Sequence, residues 1–514
     1  MTKTAARRPN ILWFCTDQQR WDTIAALGNS EIRTPNIDRL CARGWAFDRA
    51  YAQAPVCTPS RASMMTGRYP ASHHVMRNGN DSFPETEQLV TGLLADAGYR
   101  CGLIGKLHLS RQAKGEKRPD HDGFETFLWN PQPAYRGQGS DYHDWLAERG
   151  ADHAALFSDP TKFCGPGAPE DLNQAAWATD RSLGFIGAGS DDPWFLMVNL
   201  FDPHPPFDPP QNFLDRYDPQ RLSPPAWAES DVAAQAFMAD IPFQSPHLDV
   251  FGPTPDRNGA GVPANRPAQV AAKPPESFDA RAVKAAYYAM IENLDMRLGE
   301  ILDHLDKTGQ AEDTLVVFGS DHGEMLGDHG LIYKGCRFYD GLVRVPLVFA
   351  LPGRVRAGVV SQALVELVDI APTLLDAAGI AVPPAMIQRA AVPRAGRSAW
   401  RSASSSLALR SPALSGTAWG MSAVPCDGPC SVIPLHPASR ELSAAPERAA
   451  RPAPTGSGRA RRQKATSKPP AFRASRRFAA QAWFQSSGAS ASSSATRAWY
   501  APKACSIPVH SARM

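Results

Sequence analysis

The sequence predicts an α/β protein in which helices cover both faces of a large, mostly parallel sheet. Of its 514 residues, 43% are hydrophobic and 20% are charged, which is enough apolar material for a large core. Strand-like and helix-like patterns alternate along the first 385 residues, as they do in proteins with parallel sheets. Polar residues follow several of the predicted strands directly, and reactive groups of such sheets gather at these carboxyl ends.

The individual elements follow from periodicity and from punctuation by Gly and Pro. Short apolar runs that end in polar residues predict strands at 10–16, 194–201, 314–319 and 347–351. Apolar spacings of three and four, together with stop signals such as Gly98, predict helices at 37–43, 87–97, 281–305 and 364–378. The Pro-rich stretch 202–277 predicts a long, ordered surface excursion close to the site.

The net charge of +3 conceals a division of the chain at residue 386. Residues 386–514 carry 19 basic and 3 acidic side chains, whereas residues 1–385 carry 35 basic and 48 acidic ones. The acidic body disfavours nucleic-acid binding, because its surface repels phosphate. Apolar runs are too short for a membrane span and no signal-peptide core follows the N-terminus, so we expect a cytoplasmic protein with reduced thiols and no membrane partner.

The tail at 386–514 differs in composition from the body. Ala, Ser, Arg and Pro make up 80 of its 129 residues, and this composition predicts no packed core. Two interpretations stay open: a disordered basic tail, or out-of-frame translation of a GC-rich gene that replaces the native C-terminal segment. The sequence therefore predicts a folded domain at 8–385 and a low-complexity segment at 386–514. We also expect the body to expose an apolar patch where its C-terminal subdomain would dock.

The most specific motif surrounds Cys57, in the run Pro-Val-Cys-Thr-Pro-Ser-Arg-Ala-Ser-Met-Met-Thr-Gly-Arg. Pro59 fits the first turn of a helix, and the helix dipole would lower the thiol pKa of Cys57. Taken alone, these residues indicate either a reactive thiol or an ordinary Cys in a turn. The complete pattern, Cys-x-Pro-Ser-Arg followed by Thr-Gly-Arg, resembles the sulfatase signature. In that family, a separate maturation enzyme oxidises the Cys to Cα-formylglycine.

A second motif lies some fifty residues later, where Gly-Tyr is followed by Gly-Lys-Leu-His with Lys106 and His108. It is similar to the second sulfatase signature. The resemblance covers residues 8–385. It implies an alkaline-phosphatase-like α/β/α sandwich with a large central sheet, whose C-terminal subdomain is missing or replaced in this chain.

Asp17-Gln18 and Asp321-His322 each follow a predicted strand. The resemblance implies that these four residues, with Cys57, hold one divalent cation. Carboxylate and amide oxygens suit Ca²⁺, and an imidazole ligand favours Mn²⁺ more. The Asp-Gln and Asp-His pairs resemble the branch that holds choline-sulfatases and phosphonate monoester hydrolases.

Three further residues match the substrate-binding positions of the family. His204 lies in Asp-Pro-His-Pro-Pro, and Lys334 lies twelve residues beyond His322. Asn78 is the weakest match, since an Asn before Gly79 is equally a turn former. His73 and His74 are expected to be structural.

The resemblance implies hydrolysis of a sulfate monoester to an alcohol and sulfate. The hydrated aldehyde at position 57 attacks sulfur, and Arg61 and Lys106 stabilise the charge. His204 and Lys334 protonate the departing oxygen, and His108 takes the proton of the second hydroxyl, which expels sulfate.

Two alternatives remain beside this prediction. One is a phosphonate monoester or phosphodiester hydrolase, although the Lys-x-His element favours sulfate. The other is an inactive truncated relic whose basic tail binds acidic partners. The expected partners of an active enzyme are a small sulfate ester, the maturation enzyme and, in a homo-oligomer, a second copy of the chain.

Overall fold

The structure is a computed structural model that describes residues 8–112, 115–159, 162–189, 191–236, 252, 277–387 and 391. Most of the predicted Pro-rich excursion and nearly all of the predicted tail lie outside these residues. Met386 is 5% exposed and packs into the core, and the Ile387 N–H donates to the Gly67 carbonyl oxygen at 2.9 Å. The packed body therefore continues at least two residues beyond position 385.

Within the described residues, nine strands form a single sheet. They are β1 Asn10–Thr16, β2 Trp45–Tyr51, β3 Arg100–Gly105, β4 Thr126–Trp129, β5 Trp194–Asn199, β6 Thr314–Ser320, β7 Arg344–Val345, β8 Leu347–Ala350 and β9 Val359–Glu366.

Twelve α-helices accompany the sheet in the same part of the chain. They are α1 Pro35–Arg43, α2 Cys57–Thr66, α3 Pro70–His73, α4 Val90–Asp96, α5 Asp141–Glu148, α6 His153–Leu156, α7 Gln174–Gly187, α8 Gln211–Leu214, α9 Glu229–Ala236, α10 Ala280–Lys307, α11 Asp340–Val343 and α12 Ile370–Ala378. Short 3₁₀ helices occur at Ala25–Leu27, Pro219–Arg221, Ala311–Asp313, Asp328–Gly330 and Leu367–Asp369.

The strands lie in the order β4-β3-β5-β1-β6-β8-β2-β7, with β9 also paired to β2. Strands β4, β3, β5, β1 and β6 are parallel to one another, whereas β8 runs antiparallel to both β6 and β2. The predicted mostly parallel sheet is therefore confirmed. The carboxyl ends of β3, β5, β1 and β6 lie at one common edge.

The two faces of the sheet are both covered, and β1 shows how. Ile11, Trp13 and Cys15 belong to one buried apolar cluster, and Leu12 and Phe14 belong to another, because successive side chains of a strand point to opposite faces. The first cluster includes residues of α2, α4 and α12, and the second includes residues of α7 and α10. The predicted α/β/α arrangement is confirmed.

Two predicted helices begin too early: α4 begins at Val90 and not at residue 87, and the helix predicted at 364–378 overlaps a strand. Residues 364–366 belong to β9, and α12 begins at Ile370. Leu364 is exposed and Val365 is buried, which is strand alternation, and a short apolar run does not distinguish the two structures by itself.

The edge strand β9 also exposes apolar side chains: Val360 is 54% exposed and Leu364 is 63% exposed. That a C-terminal subdomain docks at such a patch stays a prediction. No helix among the described residues has the length and apolar character needed to cross a membrane.

Candidate active site

Four neighbouring strand ends position the site. Thr16 of β1 pairs with Ser320 of β6, so Asp17 and Asp321 leave the sheet side by side. On the other side of β1, Asn199 of β5 pairs with Cys15, and Gly105 of β3 pairs with Asn199. The polar residues that follow these strands therefore meet at one edge.

Cys57 is the first residue of α2, a helix whose residues are all buried. Arg61 lies one helical turn later, so the Cys-x-Pro-x-Arg spacing puts both side chains on one face. The fully buried Arg61 guanidinium bonds to Asp17 Oδ2 at 3.0 Å and to Asn199 Oδ1 at 2.8 Å. Its Nε lies 2.9 Å from Asp321 Oδ2. The motif thus places one positive charge between two carboxylates of the site.

Four buried side chains, one of them Cys57, bring potential metal-ligand atoms close together. Asp17, Cys57, Asp321 and His322 each offer one atom, and these atoms lie within 4.8 Å of one another. Cys57 Sγ is 3.1 Å from His322 Nε2 and 3.7 Å from Asp17 Oδ1. His322 Nδ1 lies 3.0 Å from the Gly323 carbonyl oxygen and donates to it, so the Nε2 lone pair faces the cluster. Two carboxylates and an imidazole nitrogen form a suitable ligand set for a divalent cation.

Gln18 lies beside this cluster, and its φ of 71° turns the chain sharply after Asp17. Its backbone N–H donates to Asp321 Oδ1 at 3.0 Å. Its side-chain Oε1 accepts from Lys334 Nζ at 2.6 Å, and the same Nζ is 3.1 Å from Cys57 Sγ. The Lys334 ammonium thus lies between the Gln18 oxygen and the Cys57 sulfur.

Sequence reasoning missed Glu324, a fully buried carboxylate that accepts from the Gln18 amide nitrogen. An ionised carboxylate only accepts hydrogen bonds, so it fixes which end of the Gln18 amide faces Lys334. Its other oxygen accepts three backbone N–H groups of the same loop, from Met325, Leu326 and Tyr333. The acid in Asp-His-Gly-Glu was the available signal in the sequence.

Lys106 and His108 enter the site from the end of β3. Gly105 has a φ of 116°, and a Cβ there would lie 2.0 Å from the Asn199 carbonyl oxygen, so only glycine permits this approach. Lys106 Nζ donates to Asp17 Oδ2 at 2.5 Å. His108 is buried with a φ of 58°, and its backbone N–H donates to Glu116 at 2.8 Å.

Two further positioning residues were also missed from the sequence. Asn199 accepts from Arg61 and donates to the Lys106 carbonyl oxygen, which connects two motifs. Glu116 accepts from three successive backbone N–H groups, 108 to 110, and so holds the loop that carries His108. A polar residue at the end of the apolar strand Trp-Phe-Leu-Met-Val-Asn was a usable signal for Asn199, whereas nothing in the sequence distinguished Glu116.

The remaining predicted residues differ in their placement. The His204 ring packs 4.4 Å from the Phe201 ring, with Nδ1 2.7 Å from the Pro205 carbonyl oxygen. Asn78 Oδ1 accepts from the Thr58 N–H at 2.9 Å, so it lies next to Cys57 and holds the start of α2; its contact with substrate stays a prediction.

His73 is buried, and its two ring nitrogens bond to the Ser63 hydroxyl and the Val75 N–H. These contacts stabilise the turn after α2. His74, its neighbour, is exposed with a φ of 59°.

The surrounding charges favour anions at positions 17 and 57. Burial alone would raise the pKa of Asp17, but Lys106 and Arg61 hold that pKa well below its usual value. Burial and Asp17 oppose ionisation of Cys57, yet Lys334 and Lys106 bring the thiol pKa below its ordinary value. Lys334 is buried, which disfavours its charge, but the facing Cys57 sulfur and Asp17 raise its pKa.

Two of the three histidines at the site, His108 and His204, have lowered pKa values. Burial, followed by the charges of Lys106 and Arg61, lowers the pKa of His108 well below its usual value. Burial and Lys334 do the same to the pKa of His204. Both imidazoles are therefore neutral near pH 7 and can accept a proton or a hydrogen bond.

Comparison with known proteins agrees with this arrangement. The sulfatase family model matches residues 9–380. An arylsulfatase from Clostridium perfringens is 30% identical over 395 residues, which are 73% of this chain and 76% of that protein. A choline-sulfatase from Rhizobium meliloti is 30% identical over 388 residues, covering 73% of this chain and 68% of that protein.

Among solved structures, a phosphonate monoester hydrolase of Agrobacterium radiobacter is similar to this chain, with a TM-score of 0.59 and 29% identity. The match covers 73% of this chain and 74% of that chain. The family match spans the sheet and all four strand ends that build the site. The chain therefore belongs to the sulfatase family of sulfuric ester hydrolases.

Proposed function

We propose that this chain hydrolyses a sulfate monoester to an alcohol and sulfate, with formylglycine at position 57 and one divalent cation beside it. The observation that carries this proposal is the position of Cys57. Its Sγ lies at the start of a buried helix, within 3.7 Å of a histidine nitrogen, a lysine ammonium and a carboxylate oxygen. These groups suit a nucleophile that must develop negative charge.

The residues present fit the cation. Asp17, Asp321 and His322 supply two buried carboxylates and an imidazole nitrogen, and Cys57 lies with them, whereas Gln18 Oε1, the fifth predicted ligand, accepts from Lys334. Asp321 Oδ2 is paired with Arg61, whereas Asp321 Oδ1 and Asp17 Oδ1 each lie 3.8 Å from His322 Nε2, so one oxygen of each carboxylate faces the imidazole nitrogen. When bound, Ca²⁺ or Mn²⁺ would lower the pKa of the nucleophile and neutralise charge on the ester oxygens.

Formylglycine fits the position as well, because a small residue at a helix start leaves room for a hydrated aldehyde, which supplies the attacking hydroxyl. Arg61 pairs with both Asp17 and Asp321 and so supplies positive charge between the two carboxylates of the site. Lys106 adds a second cation on the same carboxylate. An incoming sulfate therefore meets three cationic side chains, Arg61, Lys106 and Lys334, whereas the carboxylates of Asp17 and Asp321 are already paired with cations.

The leaving alcohol needs a proton or a strong hydrogen bond as its bond to sulfur breaks. Lys334 keeps its proton in the free site, since its pKa is raised, and its Nζ already lies 3.1 Å from position 57. We assign Lys334 as the donor to the departing oxygen, and His204, which is within range of the Lys334 charge, as a further contact to that oxygen. His108, neutral and buried, is the base that takes the second proton and so permits release of sulfate.

A second candidate function is hydrolysis of phosphonate monoesters or phosphodiesters. The similar solved structure from Agrobacterium radiobacter is a phosphonate monoester hydrolase, and a multifunctional alkaline phosphatase superfamily protein from Trinickia caryophylli is 29% identical over 409 residues, 75% of this chain and 77% of that protein. Lys106 and His108, both inside the site, favour sulfate. Because the transferred group is tetrahedral in both cases, the distinction is quantitative.

Two measurements test the proposal. Mass spectrometry of the tryptic peptide that contains Cys57 detects conversion of the thiol to an aldehyde when the chain is produced with a formylglycine-generating enzyme, which we place with it in the cytoplasm. A panel of nitrophenyl sulfate, phenylphosphonate and phosphodiester substrates then ranks kcat/KM. An unmodified Cys57 with no turnover would instead support the inactive relic.

A further inference from the structure

Arg337 is a buried cation without a counterion among the described residues. Its side chain is 3% exposed, and none of its three guanidinium nitrogens has a hydrogen-bond partner. Buried charges are ordinarily paired, because removing an ion from water without compensation is costly. Arg61 of the active site is the contrasting case: it is equally buried, but it contacts two carboxylates and an amide oxygen.

The position of Arg337 connects it to the site. It lies on the loop of Lys334, whose Nζ is 3.1 Å from Cys57 Sγ. Three residues span at most roughly 11 Å when extended. Here the loop turns tightly, because the Arg337 N–H donates to the Gly335 carbonyl oxygen at 2.8 Å. The neighbouring carboxylate of Asp340 lies 3.6 Å from Arg344, so it already has a cationic partner.

The next residue supports the same conclusion. Phe338 is 77% exposed, more than any other large apolar side chain that the structure describes. The same loop therefore carries an exposed aromatic ring and, one residue earlier, a guanidinium without a hydrogen-bond partner among the described residues. Both features suit contact with a ligand, and neither stabilises the free protein.

We propose that Arg337 forms an anion subsite next to the sulfate-ester site and binds a second anionic group, a carboxylate or sulfate, on the alcohol part of the substrate. This inference rests on the proposed function, because it assigns the substrate as a sulfate ester with another negative charge. A planar guanidinium binds either oxyanion with two parallel hydrogen bonds. Burial also lowers the pKa of Arg337, in line with a charge that lacks compensation until an anion arrives.

The test compares two nitrophenyl sulfates, one with a ring carboxylate and one without it. For Arg337→Met, we expect kcat/KM for the carboxylated ester to fall by about 10- to 100-fold, mainly through KM, with less than about a twofold change for the neutral ester. Arg337→Lys should retain part of the preference. The ratio of variant to wild type for each ester removes differences in leaving-group chemistry.

Two controls make the outcome decisive. Arg43→Met removes an exposed arginine that pairs with Asp306, and it should change neither ratio. Thermal unfolding should show Arg337→Met at least as stable as wild type without ligand, because an unpaired buried charge has been removed. Equal losses for both esters, or a clear loss of stability, would assign Arg337 a structural role and overturn the subsite.

Calorimetric binding of the carboxylated nitrophenol product separates this inference from the proposed function. Binding that disappears in Arg337→Met supports the subsite even if no sulfate ester is hydrolysed. Binding of equal strength in wild type and variant refutes the subsite even if sulfate esters are excellent substrates.

Discussion

The substitution Glu324→Gln replaces one carboxylate oxygen by an NH₂ group and leaves the side-chain volume almost unchanged. We expect it to disorganise the active site. Glu324 is fully buried and accepts from the Gln18 amide and from three backbone N–H groups. In the variant, the amide oxygen of residue 324 can still accept from the backbone N–H groups. The NH₂ of residue 324 then faces the NH₂ of Gln18. Relief of this contact requires rotation of the Gln18 amide, which turns its NH₂ toward the Lys334 ammonium.

The expected size follows from the bonds that are lost. A hydrogen bond to a charged group contributes about 1.5–3 kcal/mol, so losing the Gln18–Glu324 bond and the acceptor of Lys334 should lower kcat by about 10- to 100-fold. The assay is steady-state hydrolysis of nitrophenyl sulfate, with thermal unfolding measured in parallel. Glu312→Gln, at an exposed acid in a 3₁₀ helix, is the matched control and should leave both measurements unchanged.

Exchanging the two residues provides the stronger test. In the double variant Gln18→Glu, Glu324→Gln, the NH₂ of residue 324 donates to the carboxylate of residue 18, which again accepts from Lys334. We expect this variant to exceed the Glu324→Gln single variant by about tenfold in kcat. Wild-type activity of Glu324→Gln, or no recovery in the exchanged pair, would refute the positioning role.

Three further predictions concern the nucleophile, the metal and pH. Cys57→Ala and Cys57→Ser should each lose most turnover with an unchanged unfolding midpoint, and a fully active Ser variant would disprove the need for an aldehyde. Chelation should lower both activity and the unfolding temperature, and Asp17→Asn should reduce the bound metal measured by elemental analysis; a metal-free protein with full activity would contradict the cation site. Burial and the nearby Arg68 lower the pKa of His73 to about 4, so the folded state disfavours protonation, and stability should fall as pH decreases from about 6.5 towards 4. His73→Gln should flatten that dependence of the unfolding midpoint, and an unaltered slope would exclude His73 as its source.

The sequence by itself determined the local parts of this protein. Apolar runs marked the buried strands β1, β5 and β6, and the polar residues directly after them were identified as candidates. The spacing of Cys57 and Arg61 needs only one helical turn to place both side chains on one face. Lys106 and His108 likewise follow a strand in a recognisable motif. Each of these inferences depends on residues that are close together in the chain.

The tertiary structure alone decided which distant residues meet. Glu324 holds Gln18 across some three hundred residues of chain, and Asn199 joins Arg61 to Lys106, contacts that follow from the strand order β3-β5-β1-β6 and its register. The sheet also decided that 364–366 pair with β2 as a strand, although the apolar pattern equally permitted a helix. Local periodicity fixes which way a side chain can point, but the partner that satisfies a buried donor or charge is chosen by long-range packing, which no short stretch of sequence contains.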